Sequence, residues 1–211
     1  ADDRRTLKTI RSNELKAAKK RELLPFYAPW VAGVLADGRG AQDDILMAVM
    51  LWRLDAGDIA GALEIAPYAL KYGLTSDYHR TTPYMLVEEV ALAALRLRDT
   101  GEPVDLALLL TTLSLTDGAD VPDMVRARLH KVTGLTLRDA GQSAEALAQF
   151  QRAMQLDRNA GVRKEIERLE RALKPKPDAA PRKTTKPRTR KPATKPAAKR
   201  GRPPKAVKTA G

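Results

Sequence analysis

The sequence predicts an all-α protein, a helical-hairpin bundle or short tetratricopeptide-like α-solenoid carrying a disordered basic C-terminal tail, and three observations lead there. Apolar residues recur at the helical period through most of the first 173 positions, with almost no alternating β-branched run. Glycines at positions 57, 73, 101 and 141 punctuate that pattern where helices would stop. Beyond residue 173 the composition changes abruptly to 14 Lys/Arg against the single acid Asp178, with eight of the chain's 14 prolines and no aromatic. Such a segment buries too little apolar surface to offset its ordering entropy. The first 173 residues hold 24 Lys/Arg against 25 acids, so the formal net charge of +12 resides in the tail.

Taken in order, Arg5 to Leu24 reads as a basic helix, with Lys8, Arg11, Lys16, Lys19, Lys20 and Arg21 set around Leu7, Ile10, Leu15 and Leu23. Pro25 is expected to end it. Trp30 to Leu35 reads as a short apolar turn closed by Gly38 and Gly40. Asp43 or Asp44 then caps a helix through Ile45, Leu46, Val49, Met50 and Leu54 to a Gly57 stop. Asp58 starts the next, which carries Ile59, Leu63, Ile65 and Leu70 to Gly73; Pro67 inside it either kinks or shortens the helix. Thr82-Pro83 opens a helix ending near Gly101, followed by Asp105 to Leu115 and a polar loop over residues 117–120. Pro122 opens a long helix to Gly141, Ser143 caps Ala144 to Leu156, and a last helix spans Val162 to Leu173. The domain plan is a basic N-terminal helix over 1–28, a helical-hairpin domain over 29–173 and a DNA-binding tail over 174–211.

An internal echo supports hairpins. Asp55-Ala56-Gly57, then Ala60, Ala62 and Leu63, recurs as Asp139-Ala140-Gly141, then Ala144, Ala146 and Leu147, and Ala69 is answered by Ala153. A Gly turns the chain and small residues let the second helix approach the first. The second copy is similar to a tetratricopeptide unit in its Gly134, Gly141, Ala146, Phe150 and Ala153.

Several functions are excluded. With no cysteine there is no disulfide framework, zinc ribbon or thiol nucleophile, and a reducing compartment is the default. Apolar stretches are interrupted far short of the roughly 20 residues a bilayer span needs, and the charged N-terminus shows no signal peptide. No phosphate loop of the G-x-x-x-x-G-K-[ST] type exists, which argues against ATP hydrolysis. His79 and His130 lack a partner at metal-binding spacing and read as a loop and a helix-surface histidine. A metal-dependent nuclease needs converging carboxylates. The candidates are Asp43-Asp44, Asp55 with Asp58, Glu88-Glu89, and Asp117, Asp120 and Asp123. Helix capping accounts for most of them, and Glu88-Glu89 least.

The tail carries the stronger signal. Lys199-Arg200-Gly201-Arg202-Pro203-Pro204-Lys205 contains an R-G-R-P core and resembles the AT-hook family of minor-groove peptides. Gly201 allows close backbone approach, Pro203 keeps the strand extended, and Arg200 and Arg202 reach into a narrow A·T groove. Arg188, Arg190 and Lys191 add cations upstream. The alternative is a sequence-blind polycation; both bind duplex DNA electrostatically. Lys16, Lys19, Lys20 and Arg21 form either a second nucleic-acid contact or a solvated helix face.

Long runs of the chain resemble the small terminase subunit of temperate tailed phages with cohesive ends. They include residues 14–25, 40–47, 50–55, 57–66, 68–74 and 88–94, then 125–131, Gly134-Leu135, 137–139, 164–171 and the R-G-R-P tail. The resemblance implies a protein of the bacterial host cytoplasm that binds double-stranded phage DNA at the cohesive site as a homo-oligomer. It further implies hand-over of that DNA to a large ATPase subunit for packaging. Members also carry the name endonuclease subunit, so a staggered cut by this chain stays open. No catalytic residue carries over. No cofactor is expected, and magnesium only if the chain cuts. A third alternative is a nucleoid-type protein binding any A·T-rich DNA.

Overall fold

The computed structural model describes residues 2–76 and 80–174, and among these every regular element is an α-helix. In chain order they are α1 (Asp2–Thr9), α2 (Asn13–Asp37), α3 (Asp44–Asp55), α4 (Ile59–Lys71), α5 (Thr82–Asp99), α6 (Leu106–Leu115), α7 (Asp123–Asp139), α8 (Ser143–Leu156) and α9 (Arg163–Leu173).

The N-terminal region departs most from expectation. The single helix ended by Pro25 is instead two helices, and α2 runs through both Pro25 and Pro29 to Asp37. The break comes earlier, because the Ser12 hydroxyl accepts from Leu15 N at 3.3 Å and starts α2 afresh. Pro25 and Pro29 are four residues apart and both exposed, so their missing N–H groups free carbonyls on the solvent side. Leu24, Tyr27, Val31, Val34 and Leu35 on the other side pack on the core and hold the helix together. The apolar turn expected at Trp30 to Leu35 is therefore the end of α2, and the boundary drawn after residue 28 falls inside a continuous helix.

The remaining elements form where their signals lie. Asp43, rather than Asp44, caps α3, its Oδ1 accepting from Ile45 N and Leu46 N at 2.9 and 2.8 Å. Asp58 caps α4 through Gly61 N at 2.8 Å, and α4 continues past Pro67 without shortening. Ser143 is the first residue of α8 and makes no capping bond, so the expected cap moves back to Gln142.

Two turns of the internal echo are built alike. Gly57 (φ +87°) follows α3 and Gly141 (φ +78°) follows α7, both left-handed, where a side chain would be strained. Asp58 N then reaches back to Arg53 O at 2.8 Å, and Gln142 N to Leu137 O at 2.9 Å. Helices α3, α5 and α7 contact in succession, as do α4 and α6, with α7 and α8 the most extensively packed pair.

Two apolar cores result. The larger is built from α2 to α7, with Leu46, Met50, Leu54, Ile65, Leu86, Val90 and Leu129 fully buried. The smaller joins α7, α8 and α9 through Leu137, Ala146, Phe150, Ala153, Ile166 and Leu169. Arg138 ties the smaller unit together, contacting Glu165 at 3.0 Å and Asp139 at 2.8 Å.

Candidate nucleic-acid interface

Two sets of residues are expected from the sequence as DNA contacts. The tail set, Arg188, Arg190, Lys191, Lys199, Arg200, Gly201, Arg202, Pro203 and Lys205, lies outside the described residues, as does His79. The helical set, Lys16, Lys19, Lys20 and Arg21, lies in the first half of α2.

The C-terminal end of α3 engages half of that helical set. Lys20 Nζ forms a short ion pair with Asp55, and Arg21 Nε donates to Ala56 O at 3.1 Å. From the other side Arg96 donates to Leu54 O at 3.1 Å. The last carbonyls of a helix carry partial negative charge, so three cations converge where the backbone favours them. Lys19 bonds Glu22 at 2.7 Å one turn along α2, and that carboxylate raises the Lys19 pKa. Lys16 is half-buried.

What the sequence does not bring together is the setting of Lys16 and Lys20. They line a groove of about 710 Å³ between α1, α2, α3 and α5, in company with Arg4, Lys8 and Arg80. Its apolar lining is Leu7, Met47, Leu51, Trp52 and Met85, and three carboxylates, Asp44, Asp55 and Glu89, also face it. Five cations against three acids give the groove a net positive rim. The convergence depends on the α1–α2 break, which lets α1 fold back: Tyr27 OH donates to Asp3 at 2.7 Å, and Arg4 donates to Asp44 O at 2.7 Å. Only the packed chain puts Arg80 beside residues some seventy positions earlier.

Several of the carboxylates considered for a metal are engaged in other ways. Asp43 caps α3 and also accepts from Trp30 Nε1 at 3.0 Å. Asp55 pairs with Lys20, Asp58 caps α4, and Glu88 pairs with Arg80. Among the described residues no three His, Cys, Asp or Glu side chains come together in a way that could hold a metal ion. Glu89 is different. Burial pushes its carboxyl above the usual range, with Asp55 and Glu88 adding to that and Arg96 and Arg80 opposing it. His130, expected on a helix surface, is instead half-buried, its Nδ1 within 2.7 Å of Gln149 Oε1 across the α7–α8 contact. Burial lowers its pKa.

No described helix is long and apolar enough to cross a membrane. Residues 1–124 match the family described as phage small terminase subunit. A relative from Escherichia phage P2, named terminase, endonuclease subunit, is 67% identical over 208 residues, covering 97% of this chain and 83% of the relative. No solved structure matches.

Proposed function

The chain belongs to the phage small terminase subunit family, and we propose that in genome packaging it selects viral DNA at the cohesive site and delivers it to the large ATPase subunit. The observation carrying this is the segregation of charge. A near-neutral helical body of 24 Lys/Arg and 25 acids precedes a tail with 14 Lys/Arg and one acid. A polycation bearing R-G-R-P releases counterions from duplex DNA and offers two Arg side chains to a narrow minor groove. The groove rimmed by Arg4, Lys8, Lys16, Lys20 and Arg80 supplies a second, weaker cationic contact for phosphate. Such a protein acts in the host cytoplasm as an oligomer, with the body as the docking surface for the large subunit.

Binding of cohesive-site DNA across a salt series tests this directly. The full chain is expected to lose on the order of a thousandfold in affinity between low and moderate salt if about 6–10 phosphates are contacted. A chain ending after Leu173 is expected to bind far more weakly with a flatter salt slope. Equal affinity of the two would refute the assignment.

The P2 relative's name supports a second reading, in which this chain itself makes the staggered cut. Cleavage of cohesive-site DNA with magnesium, by the intact chain and by Glu88→Gln, Glu89→Gln, Asp117→Asn and Asp120→Asn variants, separates the two. Cutting lost with one of these carboxylates favours the nuclease; absence of cutting favours recognition and hand-over.

A further inference from the structure

We propose that the cavity between the α6–α7 turn, α7 and α8 is a binding site for a phosphoryl group, held by Arg126, His130 and Arg152. The cavity measures about 430 Å³ and is lined by these three side chains together with Asp117, Gly118 and Ala119 of the turn. It shares no residue with the groove beside α1 and α2, and DNA binding by the tail stands or falls without it. Arg126 and His130 are one turn apart on α7, so they occupy one side of that helix. Arg152 reaches the same cavity from α8, because α7 and α8 are the most extensively packed pair of helices.

Each cation is positioned by neutral partners rather than by a counter-ion. Arg126 Nη2 donates to Thr116 O at 3.1 Å and Ala119 O at 2.9 Å, which fixes the guanidinium against the end of α6. Arg152 Nη1 donates to Gln155 Oε1 at 3.1 Å. An amide oxygen only accepts, so the 2.7 Å contact with Gln149 sets the His130 proton on Nδ1 and leaves Nε2 to take a second one. Among the described residues neither arginine forms an ion pair with a carboxylate. The crowding is felt at His130: burial lowers its pKa, Gln149 opposes that, and the charges of Arg152 and Arg126 lower it further.

Charge and geometry select the ligand. Arg126 and Arg152 against Asp117 leave one positive charge at the cavity, and a protonated His130 makes two, the match for a phosphoryl dianion. Three donor side chains from two helices suit a tetrahedral anion with several oxygens, whereas a single bidentate arginine satisfies a carboxylate. Because its donors are held before the ligand arrives, the site binds with little ordering cost. Binding is coupled to a proton, since an anion beside the imidazole opposes the two arginines and raises the His130 pKa. The groups facing that imidazole are Arg126 on its own helix, Arg152 and Gln149 on α8, and Asp117 in the turn.

The chain has two histidines, His79 and His130, so imidazole NMR signals of the full chain report on the site, with His130→Gln identifying the signal that belongs to it. Millimolar inorganic phosphate, added at constant ionic strength against chloride, is expected to move the His130 signal saturably and to raise its titration midpoint. Arg152 is exposed, so Arg152→Gln leaves the helical circular dichroism unchanged, and it is expected to weaken phosphate binding on the order of tenfold. A short DNA duplex, added to the full chain in a second arm, separates the sources. Movement of the His130 signal by the duplex in the parent, lost in Arg152→Gln, assigns the phosphoryl group to the DNA backbone. Movement by inorganic phosphate alone assigns it to a free phosphate compound. A His130 signal that neither probe moves beyond the chloride control, or phosphate binding equally tight in Arg152→Gln, would overturn the proposal.

Discussion

The hairpins α3/α4 and α7/α8 share a turn and differ in nearly everything the turn holds. Both begin with an Asp that takes a cation from an earlier helix, Lys20 on Asp55 and Arg98 on Asp139, the latter at 2.7 Å. Both turn on a left-handed glycine, and Ala62 and Ala69 answer Ala146 and Ala153, all fully buried. Yet the positions that fill the space between the helices have exchanged sizes. Met50 and Ala66 in the first correspond to Gly134 and Phe150 in the second. A Cβ on Gly134 would stand 2.8 Å from the Phe150 ring. The second hairpin is therefore closed by one aromatic on one glycine. The first opens beside a groove where charges remain incompletely matched. Turn chemistry fixes the hairpin, and flanking helices decide whether it becomes packing or a site.

The hardest test of that comparison is at Phe150, which is fully buried. Phe150→Ala is expected to cost about 3–5 kcal/mol of unfolding free energy. Adding Gly134→Met gives the second hairpin the size pairing of the first and is expected to recover part of the loss. Urea unfolding of the single and double variants measures it. A double variant no more stable than the sum of its singles would mean the two hairpins are not interchangeable in volume.

A smaller effect separates the two by pH. Asp139 lies between Arg98 and Arg138; burial alone would raise its pKa, but the two guanidinium groups outweigh burial and hold it below the ordinary 3.8. Its contribution is present above pH 3.8 and is lost as pH falls through the lower folded value. Glu89 is raised above its ordinary 4.5. The unfolded chain gives up that proton first, so stability falls as pH rises from 4.5 through the folded value, and the full penalty stands at neutral pH. Glu89→Gln is accordingly expected to stabilise the protein at pH 7, and Asp139→Asn to destabilise it. Each effect is about 1 kcal/mol or less, given their solvent contact. Thermal melts at pH 7 that move in the same direction for both variants would remove the distinction.

Much of the fold is legible in the sequence because its signals are local. Asp58, Asp105, Gly57 and Gly141 act within a few residues of themselves, and the elements they bound appear in place. Pro25 misleads because its usual effect is conditional. A proline ends a helix when the lost bond cannot be replaced, and here the freed carbonyl faces water while Tyr27 and Val31 pack on the core. The groove is hardly legible at all. Lys16 and Lys20 are visible as cations, but their company of Arg4, Lys8, Arg80 and Glu89 is a product of α1 folding back and of α5 packing alongside. Nothing in local spacing marks Glu89 as the member of the acidic pair that lines the groove and has its pKa raised by burial, except that capping does not account for it.

The least effect expected, and the one that isolates the second hairpin, concerns His130. Burial lowers its pKa from the ordinary 6.5, against a raising contribution from Gln149, with Arg152 and Arg126 adding to the lowering. The unfolded chain therefore binds a proton near pH 6.5 that the folded chain refuses until lower pH. Stability is then full above pH 6.5, declines as pH falls through the interval down to the folded value, and levels below it. His130→Gln can keep a hydrogen bond to Gln149 and carries no proton to titrate, so its stability between pH 7 and 5 should be flatter than that of the parent by a fraction of about 1 kcal/mol. If the decline in stability from pH 7 to 5 survives in this variant, it comes from another group, since Glu89 in the groove acts with the opposite sign, and the α7–α8 contact would lose its assignment as the pH-sensitive seam near neutrality.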